Sequence, residues 1–301
     1  MLRRHIMSTE ITTAFVQQFS SNVQLLSQQM GSLLRGSVSE EAVTGEKAFF
    51  DQVGQSAAIK RTTRHGDTPL VETPHSRRMV TLESYEWADL IDDQDKVRML
   101  IDPTSAYART AAAAMGRAMD DAIIEAALGT AKTGKSGATS TSFLSDNQIA
   151  AGSVDMTIEK LIQAKSLLDQ QSVDPSIPRY LACSPRQIEA LLNTTAVTSA
   201  DFNTVKALVQ GDIDTFMGFK FIVSNRLALD ASTNVRSCFA WAEDGIKLAV
   251  GKDVVARIEE RADKSYATQV YYCATFGATR MEEEKVVQID CDEDETLSFG
   301  S

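Results

Sequence analysis
The chain has 301 residues, and its 30 Lys and Arg stand against 41 Asp and Glu for a formal net charge of −11. With 43% hydrophobic and 24% charged residues, the composition is that of an ordinary folded protein and excludes wholesale disorder. The length accommodates two domains or one elaborated domain with arms. The acidic balance argues against a dedicated nucleic-acid binder, because such affinity comes mainly from Lys and Arg neutralising phosphates.

Four cysteines, Cys183, Cys238, Cys273 and Cys291, form no C-x-x-C pair, and the first three sit in apolar, strand-like runs. They read as reduced cysteines behaving as small hydrophobes. The opening MLRRHIM is basic, but STEITT follows where a secretory signal would need an apolar run. No stretch approaches the ~20 apolar residues of a membrane span. The expectation is a soluble, non-secreted protein.

Residues 10–35 are expected to form an amphipathic helix, with Ile11, Phe15, Phe19, Val23, Leu26, Met30 and Leu33 stepping by three or four. A polar break follows. Residues 56–90 read as an extended hairpin, with turn chemistry at His65-Gly66-Asp67 and Thr73-Pro74-His75. Its charges are segregated. Lys60, Arg61, Arg64, Arg77 and Arg78 outnumber Asp67 and Glu72, whereas Glu83, Glu86, Asp89, Asp92, Asp93 and Asp95 follow without a base.

Asp102 and Pro103 supply a helix start, Gly129 a stop, and the Ala-rich run between them predicts a helix of about 25 residues, nearly 40 Å long. Its apolar stripe is Tyr107, Ala111, Met115, Ala118, Ala122 and Ala126. A Gly/Ser/Thr-rich linker is expected over 129–142, and a helix over 157–171. The strand 179–183 leads into a capping-box pattern, Ser184 to Gln187, opening a helix over 188–192. Strands are expected at 218–223, 238–242, 246–250, 254–258, 266–276 and 286–289. Helices early and strands late give an α+β class.

Residues 129–136, Gly-Thr-Ala-Lys-Thr-Gly-Lys-Ser, satisfy the phosphate-cradling pattern G-x-x-x-x-G-K-[ST] through Gly129, Gly134, Lys135 and Ser136. That loop works by joining a buried strand to a helix whose N-terminus faces the phosphates. Here a long helix precedes it and a poor helix former follows, so a linker is the better reading. His5, His65 and His75 offer no triad. The carboxylate groups Asp92-Asp93, Asp120-Asp121 and Glu282-Glu283-Glu284 read as solvated faces. No catalytic, cofactor-binding or metal-binding residue is expected.

In order, these segments resemble the major capsid proteins of tailed bacteriophages, those with the HK97-type fold. The resemblance runs from the arm and extended loop through DPTSAYARTAAAAMGRAMDDAIIEAALG, YLACSPRQIEALLN and GFKFIVSNRLA. It ends on the R-x-D-K turn (Arg261, Asp263, Lys264) and an aromatic-Gly-Ala-x-R stretch (Phe276, Gly277, Ala278, Arg280). It implies an N-terminal arm (1–50), an extended β-hairpin loop (51–95), and a spine helix with part of a peripheral domain (96–180). An axial domain (181–270) and a closing peripheral-domain strand with an acidic tail (271–301) complete it.

The resemblance further implies a coat protein that assembles with itself as hexamers and pentamers into an icosahedral shell. Such a shell encloses double-stranded DNA without sequence-specific binding, forms in the host bacterial cytoplasm and ends in the virion. In relatives the extended loop lies over a neighbouring subunit, which makes Lys60, Arg61, Arg64, Arg77 and Arg78 the candidate inter-subunit contacts. The expected partners are a separate scaffolding protein, a portal protein and a decoration protein, with no membrane and no cofactor. Because Lys60 is the hairpin's only lysine and lies at its base, no lysine–asparagine cross-link is expected. The alternatives are a bacterial nanocompartment shell around protein cargo and a nucleotide-binding enzyme using residues 129–136.

Overall fold
The computed structural model describes residues 28–64, 67, 68, 70–91, 104–193 and 215–294. Most of the amphipathic 10–35 segment, His65, Asp92, Asp93, Asp95, Asp102, Pro103 and the end of the acidic tail lie outside the described residues.

Among the described residues there are three sheets, and one long helix packs on the first of them. The strands are β1 (Ser39–Ala42), β2 (Lys47–Val53), β3 (His75–Thr81), β4 (Glu83–Ile91), β5 (Ala131–Thr133), β6 (Thr139–Thr141), β7 (Gln148–Ile149), β8 (Arg179–Cys183), β9 (Thr215–Phe216), β10 (Phe219–Val223), β11 (Leu229–Asp230), β12 (Val235–Ala242), β13 (Ile246–Arg261), β14 (Ala267–Arg280) and β15 (Val286–Asp292). The helices are α1 (Thr104–Leu128), α2 (Ile158–Gln170) and α3 (Pro185–Asn193). A four-stranded sheet runs β1-β13-β14-β4, and a seven-stranded sheet runs β7-β15-β12-β8-β10-β9 with β11 on β12. The third, β2-β3-β5-β6, has four strands.

Helix α1 buries Ala111, Met115, Met119, Ile123 and Ala127. These are successive i+4 steps on one face. The expected stripe of Ala118, Ala122 and Ala126 sits beside it, half-buried. The small residues let α1 lie close on β14 and β4.

Helix α2 opens at Thr157, whose hydroxyl oxygen accepts from Lys160 N at 3.3 Å, and it buries Leu161, Ala164 and Leu168. Its buried lysine, Lys160, donates to the carbonyls of Ala151, Val154 and Asp290 at 2.8–2.9 Å. Three acceptors satisfy the ammonium's three donors. At α3 the capping box forms, with Gln187 Oε1 accepting from Ser184 N at 3.1 Å. The main core lies between α2 and the seven-stranded sheet, around Leu181, Phe219, Phe239 and Trp241. All four cysteines are free and buried.

Four expected elements need correction. First, 28–34 is not helical; a 3-10 turn at Arg35–Ser37 leads into β1. Gly31, at φ +78°, breaks the periodic pattern. Second, the hairpin does not run over 56–90. Its paired stems are β2 and β3, in register from Lys47↔Thr81 to Val53↔His75, and β4 belongs to another sheet, paired with β14 from Thr268↔Ile91 to Phe276↔Glu83. Third, 129–142 is not a flexible linker: β5 and β6 form a hairpin that extends the stem sheet through Arg78↔Thr133. The expected separate strands at 246–250 and 254–258 are one strand, β13, with bulges between Val250 and Val255.

Candidate inter-subunit surface
The stems of the extended loop are fixed to the body, and most of the described loop residues beyond them are exposed. At the neck, Gly54 N donates to Pro74 O at 2.7 Å. Below the neck, Arg77 forms a two-pronged pair with Asp51 on the facing strand and stacks its guanidinium over Phe49 at 5.5 Å. That guanidinium holds the Asp51 carboxyl below the ordinary aspartate range.

Arg78, the next residue, faces the opposite side of the strand. It is 7% exposed, donates through Nε to Met281 O at 2.7 Å, and pairs with Glu283. Gln52 Nε2 donates to the same carbonyl at 2.8 Å. Leu82 N donates to Glu46 O at 2.9 Å. At Gly277 a Cβ would stand 2.3 Å from Thr81 O, so only glycine lets β14 pass beneath β3.

Arg280 extends this buried network. Fully buried, it donates to Ala127 O at 2.9 Å and Gly129 O at 2.8 Å, capping the C-terminus of α1. Its guanidinium lies 5.0 Å from the Phe143 ring centre and 3.6 Å from Glu283. Burial pushes the Arg280 guanidinium down; Glu283 opposes that and Arg78 adds to it. One carboxylate therefore serves two buried arginines, one on the loop stem and one at the end of the spine.

A second anchor holds the arm. Asp120, fully buried on α1, accepts from Leu33 N and Leu34 N at 3.1 Å and from the side chains of Ser32 and Gln29. The arm crosses α1 where a Cβ on Gly116 would stand 2.3 Å from the Gly31 carbonyl carbon. Trp241 Nε1 donates to Ser37 O at 2.9 Å, and Arg35 bridges Glu40 and Asp253. The arm is thus tied to the spine, the core and β13.

Of the five candidate contact residues, Lys60, Arg61 and Arg64 lie exposed beyond the neck. Arg77 is half-buried on the stem and already paired with Asp51. Arg78 is buried in its own chain, which removes it from the exposed set. Strand alternation was the available signal, since neighbours on a strand cannot share a face. Asp120 and Glu283, expected on solvated faces, are instead buried or nearly so as anchors; their partners and that of Gln52 lie far away in sequence, so no local pattern gave these roles.

The segment 129–136 has no phosphate-loop geometry. It leaves the end of α1 and enters a hairpin, Gly134 N donates to Arg77 O at 3.2 Å, and no helix follows it. A cleft of about 640 Å³ lies between the loop stem, the turn after α2 and Glu282, Glu283 and Glu284; Lys285 pairs with Glu282 and Asp244 there. Among the described residues, no group of three or more His, Cys, Asp or Glu side chains is arranged to hold a metal ion.

No curated protein matches this sequence. Solved structures match the fold across nearly the whole chain. The capsid of cyanophage P-SCSP1u is 16% identical with a TM-score of 0.71, covering 95% of each chain. The capsid of Ralstonia phage GP4 is 10% identical with a TM-score of 0.70, covering 92% of this chain and 94% of that one. The cyanophage Pam1 capsid is 16% identical with a TM-score of 0.69, covering 93% and 97%. The fold is of the HK97 type. A family model described as phage capsid protein matches residues 11–293, and with that match spanning arm, loop stem, spine and both large sheets, the chain belongs to the phage capsid protein family.

Proposed function
We propose that this protein is the major coat subunit of a tailed-phage shell, assembling as hexamers and pentamers around double-stranded DNA. The observation that carries this reading is the family match over 11–293. In place of the expected bounds at 96–180 and 181–270, the seven-stranded sheet with α2 and α3 is assigned to the axial domain, because α2 packs on that sheet, and the β13–β14 ribbon with α1 to the peripheral domain, because β13 belongs to the other sheet. Lys60, Arg61, Arg64 and Arg77 face a neighbouring subunit. Each exposed pair is worth only ~0–1 kcal/mol, which keeps single contacts reversible while many copies accumulate them. A separate scaffolding protein directs assembly in the host cytoplasm, and a portal protein occupies one vertex. The acidic balance keeps packaged DNA from adhering to the wall.

The test is expression alone and with the phage's scaffolding protein, followed by negative-stain electron microscopy. Shells, spirals or capsomer rings are expected, and genomic DNA rather than protein cargo in particles from infected cells. A protein that stays monomeric with scaffold present and hydrolyses nucleotide through Lys135 overturns the reading.

A further inference from the structure
A small cavity lies apart from the loop tip and the arm. It holds about 220 Å³ where the second half of α1 meets the end of β3 and strands β4 and β14. Its walls are apolar, formed by Val80, Tyr85, Ala122, Ala126 and Phe276, and the Tyr85 and Phe276 rings stack with centroids 4.4 Å apart. Small residues make the space, since α1 contributes two alanines to it and β14 contributes Gly277. Sites for drug-sized ligands run to ~300–1,000 Å³, so this one takes a smaller molecule; an apolar lining with a few placed polar groups is the usual build.

Those polar groups favour one sign of charge. Glu83 and Glu125 stand at the rim, both exposed, and neither makes an ion pair among the described residues. Tyr85 donates its hydroxyl to Glu83 Oε2 at 3.2 Å. Thr279 lines the same space and is only 4% exposed. Its hydroxyl reaches the Arg280 carbonyl at 3.5 Å, the far limit of a hydrogen bond, so most of its capacity is unused. Nearby cations are engaged elsewhere. Lys132 donates to Ser140 Oγ at 2.9 Å, Arg226 pairs with Asp121, and Arg280 caps the Ala127 and Gly129 carbonyls. Burial pushes the Tyr85 phenol up to about 12, and Glu83, Glu125 and Asp121 add to that shift.

Apolar walls select an apolar body, and two unpaired carboxylates select a cation at one end of it. An anion of the same shape meets repulsion, which is how such a site discriminates. A hydrated metal ion gains nothing from the walls.

We infer that this junction is a binding site for an ammonium carried on a short apolar body, with the body against Tyr85, Phe276 and Ala126 and the ammonium on Glu83 and Glu125. Occupied, the site ties the loop stem, the spine helix and the first sheet together through one ligand. A free primary amine and the lysine of a neighbouring chain both carry this chemistry.

The probe is phenethylammonium, titrated into the unassembled full-length subunit by isothermal calorimetry and followed by thermal unfolding. At about ten times its Kd it should raise the Tm by roughly 3–6 °C. Phenylacetate, with the same ring and the opposite charge, should leave the Tm unchanged. Glu83→Gln combined with Glu125→Gln should weaken the amine by roughly tenfold or more, with the ligand-free Tm near that of wild type because both side chains are exposed. Ala126→Leu should abolish binding by filling the space. Absence of saturable amine binding overturns the inference. So does equal binding of amine and acid, or a folded double-glutamine variant that binds as tightly as wild type.

The same titration on assembled shells distinguishes the two sources. Binding retained in shells assigns the site to free amines. Binding lost in shells, together with a carbodiimide cross-link from Glu83 or Glu125 to a lysine, assigns it to a neighbouring chain.

Discussion

Asp120 offers the sharpest test of how the arm is held. Asp120→Ala removes the acceptor for Leu33 N and Leu34 N, both at 3.1 Å, and for two side-chain donors. A buried donor left unpaired costs ~1–3 kcal/mol, so the loss of both amide partners comes to about 3 kcal/mol. At ~2–4 °C per kcal/mol for a protein of this size class, the Tm falls by roughly 6–12 °C. Leu34 remains fully buried, and its side chain contributes ~1.5–3 kcal/mol of burial that opposes detachment. The arm therefore loosens before it leaves. Asp120→Asn keeps one acceptor oxygen and turns an amide towards the remaining donors, so its cost falls between wild type and alanine. Calorimetry gives the shift, and amide exchange at Leu33 and Leu34 gives its location. Gly116→Ala attacks the same crossing sterically, through the 2.3 Å approach to Gly31. Because both changes act on one contact, the double variant should cost less than the sum of the two. A Tm change below ~2 °C for Asp120→Ala, with Leu34 exchange unaltered, refutes the reasoning.

Three further outcomes are expected. Arg280→Ala, by leaving the Ala127 and Gly129 carbonyls uncapped and Glu283 with half its counter-charge, should destabilise by ~3–5 kcal/mol; urea unfolding measures it, and Arg280→Met should cost less by preserving packing. Asp51 titrates below the ordinary ~3.9 of an aspartate because Arg77 donates to it. The pair's contribution is present above that pH and lost as pH falls through the depressed value, so carboxyl NMR should find its midpoint moving up in Arg77→Ala and staying put if the pair is absent in solution. All four thiols are buried, with Cys183 pushed up to about 12 by burial; a thiol reagent should count none in the native protein and four after denaturation, and a rapidly reacting thiol would contradict the packing.

Locally coded features were legible in the sequence, and those set by distant partners were not. The capping box at Ser184 and Gln187 was read from four residues and is present. The spine helix was read from Ala density and a Gly stop and ends at Leu128. By contrast, the alternation read over Arg78 to Tyr85 runs past Leu82, and nothing local marks that residue as the point where the chain leaves one sheet for another. That transfer is dictated by β14, far away in sequence. The 129–142 run read as a linker because Gly, Ser and Thr make up most of it. Thr is a good strand former on a half-buried surface, and Gly134 and Gly137, at φ +87° and +71°, supply the turn between β5 and β6. In the candidate contact set, the exposed loop positions followed from charge segregation. Arg78 was misplaced because charge was counted along the chain without regard to which face each residue takes.

The sheet in which β4 and β1 lie has a consequence for biosynthesis. Ile91 pairs with Thr268 and Ser39 with Lys247, so β4 and β1, unlike the locally paired β2 and β3, find their partners only after about 180 or more further residues have been made. At ~5–20 residues per second, a ribosome needs roughly 10–35 s to deliver them. During that interval β1 and β4 are strands without a sheet, exposed on a polysome where the next nascent copy carries the same two strands. Long-range pairing of this kind folds slowly, and the waiting strands make the yield of competent subunits sensitive to translation rate and to how closely ribosomes are spaced on the message.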